Sequence, residues 1–97
     1  MFILGIPVKD NICVGSKEAD KFAKVFVNNG STEKIEYVDN RDDLVGMVQF
    51  FITPKEEYVF DFLEMGAEPL MTPQPDMSIN DVVEAFLFRE LYSYGSI

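Results

Sequence analysis

A chain of 97 residues fits one domain, 1–97, with a single modest core. Cys13 is its only cysteine and histidine is absent, so an internal disulfide and a Ser-His or Cys-His nucleophile pair are excluded, and a structural zinc site nearly so. The 47% apolar fraction argues for a folded chain, while the net charge of −9 repels nucleic acid and anionic lipid and favours a basic partner.

Residues 2–8 alternate, with Phe2, Leu4, Ile6 and Val8 against Ile3, Gly5 and Pro7, which predicts a strand. Pro7 has no N–H to give a ladder, so that end is expected at a sheet edge or beyond pairing. Lys9-Asp10-Asn11 predicts a turn and 12–14 a short returning strand, with Cys13 a buried small hydrophobe. Ser16 caps a predicted helix over 17–29 that stops at Gly30. Ala19, Phe22, Ala23 and Phe26 line its inner face; Lys17, Lys21 and Lys24 line the outer one.

Residues 33–38 alternate as an exposed strand with Ile35 and Tyr37 inward. Asp39 to Asp43 predicts a polar hairpin turn. Its spacing fails as a calcium loop, because Arg41 takes a ligand position and no glycine follows at the sixth. The β-branched and aromatic content of 45–52 predicts a buried strand returning from 33–38, in preference to a helix capped by Asn40.

Residues 54–65 predict an acidic helix. Thr53 is its cap, Pro54 its first residue, Glu56 closes a capping box and Gly66 ends it. Tyr58, Val59, Phe62, Leu63 and Met65 share one side; Glu57, Asp61 and Glu64 form a stripe on the other, with Phe60 beside them. Residues 67–75 hold three prolines and predict a crossing loop. Ser78 and Asp81 then open a helix over 79–93. Ile79, Val82, Val83, Phe86 and Leu87 face its core, and Asp81, Glu84, Ala85, Phe88 and Tyr92 make a second outward stripe. Glu90 falls on the core face. The expected fold is α+β, a small antiparallel sheet (strands 2–8, 12–14, 33–38, 45–52) packed with three helices (17–29, 54–65, 79–93).

The charge is lopsided. Residues 1–41 hold six bases and six acids, whereas residues 42–97 hold two bases and eleven acids and carry the whole −9. Adjacent acids such as Asp42-Asp43 point about 100° apart on a helix and make no acid–base dyad. No catalytic residue, metal site or cofactor site is therefore expected, nor an enzyme. The apolar start, MFILGIPV, has no basic lead and is interrupted by Lys9 and Asp10, so neither signal peptide nor membrane span is expected. A cytoplasmic inhibitor of a basic protein fits these features. Its carboxylates would imitate phosphates before a nuclease or other nucleic-acid-binding enzyme, in the manner of a viral anti-restriction or anti-CRISPR protein. Glu57, Phe60, Asp61, Glu64, Asp81, Glu84, Phe88 and Tyr92 are the expected partner-binding residues. An immunity protein against a toxin nuclease fits as well. So does a homo-oligomeric assembly component, a homodimer for example, whose lysines on the first helix meet acids on the last two.

Overall fold

The computed structural model describes residues 1–57 and 64–94. Alternation in the first stretch yields β1, Phe2–Lys9, with Leu4, Ile6 and Val8 buried on one face. Asp10 and Asn11, at φ 52° and 65°, turn the chain into β2, Ile12–Cys13. β3, Lys21–Asn28, and β4, Ser31–Val38, form a hairpin closed by Asn29 and Gly30 at φ 53° and 78°. A 3-10 turn, Arg41–Leu44, leads to β5, Phe50–Thr53. β6, Glu68–Met71, helix α1, Ile79–Leu87, and β7, Tyr92–Ser93, complete the described elements. The strands join in one seven-stranded sheet of order β4-β3-β1-β5-β6-β7, with β2 beside the end of β1. β1 is antiparallel to β3 but parallel to β5, and β5 is parallel to β6.

The expectation of an antiparallel sheet packed with three helices is thus overturned: the sheet is mixed, and among the described residues α1 is the one α-helix longer than a single turn. The helix expected over 17–29 is β3. Its sequence KFAKVFVN also alternates, setting Ala23, Val25 and Val27 against Phe22, Lys24 and Phe26, and strands with both faces covered favour such β-branched and aromatic residues. Asn29-Gly30 is a hairpin turn, not a helix stop, because both central residues of a two-residue type I′ turn need positive φ.

The strand expected over 45–52 is shorter and lies elsewhere. β4 forms the sheet edge, and β5 sits beyond β1, where Leu4 and Gly5 pair with Phe50 and Phe51. Gly46, at φ 73° with its N–H on the Met65 carbonyl, interrupts the apolar run, and Leu44 and Val48 lie against the sheet. β1 is central despite Pro7. The Pro7 carbonyl accepts from Val14 N, and the missing N–H falls where the neighbour of β1 changes from β5 to β2.

The expected loop over 67–75 contains β6. Glu68 N and Thr72 N donate to Gln49 O and Thr53 O on the β5 side, so Pro69 points the other way, where β7 pairs only with Leu70 and Met71. The start of the helix expected over 54–65 is overturned: Thr53 ends β5 and gives its hydroxyl to Lys55 O in place of capping, and 54–57 are not helical; 58–63 lie outside the described residues, Glu64 and Met65 are helical, and Gly66 follows at φ 77°. The helix expected over 79–93 ends at Leu87.

Each sheet face carries a core. Leu4, Ile6, Val25, Ile52 and Leu70 meet Ile79, Val82, Val83 and Ala85 of α1 on one face. Phe22 and Phe51 meet Leu44, Val48, Met65 and Ala67 on the other. Gly5 lies under the second core because a Cβ there would sit 2.9 Å from Phe51 Cδ1. Among the described residues no helix is long and apolar enough to cross a membrane.

Candidate functional site: an acidic groove beside α1

The start of α1 is fixed by its own sequence. Ser78 Oγ accepts from Asp81 N at 3.2 Å, and the Asp81 carboxylate accepts from Ser78 N at 3.4 Å, the reciprocal capping box expected from the spacing. Its end has no glycine. Glu90 N donates to Ala85 O at 2.8 Å and Arg89 N to Phe86 O at 3.2 Å, with Arg89 at φ 58°. This paired closure turns the chain out of the helix. It takes Glu90 off the core face on which helical spacing had placed it and leaves it exposed.

An open groove of about 760 Å³ results between α1, the 73–77 loop and the approach to β7. Met77 and Ala85 line it as buried apolar residues, Leu91 and Tyr92 line it further out, and Asp81, Glu84, Glu90 and Arg89 supply its charges. Three carboxylates against one guanidinium give a negative lining. Tyr92 is 49% exposed, and its backbone in β7 pairs with Met71. Phe88, at 69% the most exposed large apolar side chain among the described residues, faces a neighbouring hollow toward the Gly30 turn, and Glu84 borders both hollows.

Of the expected partner-binding residues, then, Asp81, Glu84 and Tyr92 share this groove, and Phe88 stands beside it. Glu64 is exposed but follows the other face of the sheet, since its neighbour Met65 belongs to the core opposite α1. Phe60 and Asp61 lie outside the described residues. Glu57 belongs to a different crevice, of about 540 Å³, with Ser16, Lys17, Arg41 and Lys55. Its carboxylate accepts from Ser16 N at 2.7 Å and Ser16 Oγ at 2.6 Å and lies 4.0 Å from Arg41. It ties the 14–20 loop to the segment after β5, so it is not an outward rim.

Sequence reasoning missed Glu90, Leu91 and Met77 as groove residues. Only Glu90 left a signal, a carboxylate misplaced on an apolar helical face. Near the second crevice, Thr53 and Tyr94 share a hydroxyl–hydroxyl contact of 2.5 Å, and burial holds the Tyr94 phenol above its usual range. Cys13 Sγ donates to Ile52 O at 3.5 Å, and burial pushes the thiol up to about 12. It remains the small core hydrophobe expected. Among the described residues no three His, Cys, Asp or Glu side chains group as a metal site.

No protein-family model matches the chain, and no curated protein does. Solved structures do match. The NMR structure of a "putative dinitrogenase" from Methanococcus jannaschii superposes with TM-score 0.75 at 12% identity, covering 99% of this chain and 95% of that one. The 1.70 Å crystal structure of a protein so named from Methanocaldococcus jannaschii gives TM-score 0.78 at 12% identity, with 98% and 97% covered. The crystal structure of a protein designated PH0822 gives 0.71 at 15% identity, with 97% and 96% covered. At such identity the likeness establishes a shared fold, and the mixed sheet described above is that fold.

Proposed function

We propose that the protein is a cytoplasmic, non-catalytic binding protein that captures a basic protein in the groove beside α1 and thereby blocks it. The observation that supports this reading is the gathering of Asp81, Glu84, Glu90 and Tyr92 around one open hollow, with Phe88 exposed at its shoulder. Carboxylates in such a rim accelerate encounter with positive charge, and half-exposed aromatics beside an apolar floor supply the area that holds the complex. The partner class we propose is a nucleic-acid-binding enzyme, whose cleft already complements a row of negative charge. Asp81 and Glu84, three residues apart on one helix face, present the start of such a row. The name carried by two fold neighbours is not transferred to this chain at 12% identity.

The test is affinity capture from the native host's lysate at low salt, run in parallel with Asp81→Lys/Glu84→Lys. The expected result is a basic protein that elutes with salt and is lost with the double variant, its association slowed about tenfold or more. Equal capture by both proteins would refute the groove as the binding surface.

A further inference from the structure

β4 is the outer strand of the sheet, and no described element pairs with its far edge. It is eight residues long, STEKIEYV, and belongs to the charge-neutral part of a chain that carries −9. Ile35 packs on the α1-side core, and Tyr37, next but one along the strand, is 47% exposed with Lys21 Nζ 4.4 Å from its ring centre. On the opposite face Glu36 lies 3.2 Å from Lys24 Nζ and 3.1 Å from Lys34 Nζ. One extra residue, Glu33, enters β4 between the pairs Phe26↔Lys34 and Val27↔Thr32, so the regular part of the free edge runs from Lys34 to Val38.

We propose that this edge pairs antiparallel with β4 of a second copy about a two-fold axis through Ile35, extending the sheet across the dimer. A two-fold contact requires the edge to complement itself. Residues directly opposite in an antiparallel pair share a face and approach within about 5 Å. With Ile35 on Ile35, Lys34 of each copy meets Glu36 of the other. Shifting the register by one step that keeps the faces matched sets Lys34 against Lys34 in one direction and Glu36 against Glu36 in the other. Like charges directly opposite are unfavourable, so charge selects the Ile35 register.

Sedimentation of the full chain up to about 1 mM tests this, read as affinity. The expected result is a reversible dimer, with those backbone amides of 34–37 that point away from β3 gaining exchange protection as concentration rises. Lys34→Glu, at a site 57% exposed, should weaken it about tenfold or more and leave the fold intact. Glu36→Lys should do the same, and mixing the two variants should restore association, because each then offers the other two opposite charges. The amide measurement on the unmodified protein keeps the test valid if Glu36→Lys, which also strips Lys24 of its partner, fails to fold. A monomer throughout, a dimer indifferent to Lys34→Glu, or a mixture of folded variants that stays monomeric would each overturn the inference. The first would mean that Lys34 and the bulge guard the edge against pairing.

Discussion

The two halves of the sheet are built by different means. β4, β3, β1 and β2 pair antiparallel; two-residue turns at Asp10-Asn11 and Asn29-Gly30 close β1–β2 and β3–β4, and the 14–20 loop joins the two hairpins. β5 and β6 run parallel to β1 and are reached by crossovers, so their places depend on contacts between distant parts of the chain. The charge divides at nearly the same point. The hairpin half is neutral, and the crossover half with α1 carries the acid surplus. The half fixed by local turns thus offers an edge suited to its own copy, while the half fixed by long-range packing offers a groove suited to positive charge.

If that division is real, the largest loss comes from the joint between the halves. Phe51 is fully buried, stacked toward Phe22 and pressed against Gly5. Phe51→Ala is expected to cost about 4 kcal/mol. Urea unfolding followed at a hairpin amide and an α1 amide should show both halves failing together, because β1 belongs to both. Separate transitions would show that the halves fold independently.

Next in size are the two left-handed residues that end a strand and a helix. A Cβ added at Gly30 would meet nothing within 4 Å, so Gly30→Ala isolates the backbone cost of about 1 kcal/mol at φ 78°. Arg89 already bears that cost at φ 58°, so Arg89→Gly should stabilise by up to about 1 kcal/mol. Thermal melts that move in the same direction for both would contradict the assignment.

The smallest effect is a pH dependence in the hairpin half. Hydrogen bonds from Lys34 and then Lys24 hold the Glu36 carboxyl below its ordinary 4.5. Its contribution to stability is present above that value and disappears as pH falls through the lowered native one. Acid titration of stability should be slightly shallower in Glu36→Gln.

What could be read in the sequence follows the same division. The turn at Asp10-Asn11, the outer strand and the Ser78/Asp81 capping box all rest on residues within a few positions of one another, and each was visible. Asn29-Gly30 was equally local, yet the helical spacing of Ala19, Phe22, Ala23 and Phe26 competed with it, although the alternation of KFAKVFVN fits the strand better. β6 was hidden by Pro69, whose tolerance depends on how far β7 extends. Glu57 could not be placed, because Ser16, which binds it, is 41 residues away. The groove was half legible: helical spacing united Asp81 and Glu84, but nothing announced that Arg89 would adopt a left-handed conformation and swing Glu90 and Tyr92 around it.

An amide-resolved NMR titration with a short oligo-lysine peptide at low salt tests the central claim most directly. The account predicts saturable shifts concentrated at Asp81, Glu84, Glu90, Leu91 and Tyr92, and their loss in Asp81→Lys/Glu84→Lys. Shifts spread evenly over Asp42, Asp43, Glu56, Glu64 and Glu68 as well would contradict it, showing that the peptide responds to net charge and not to a built groove.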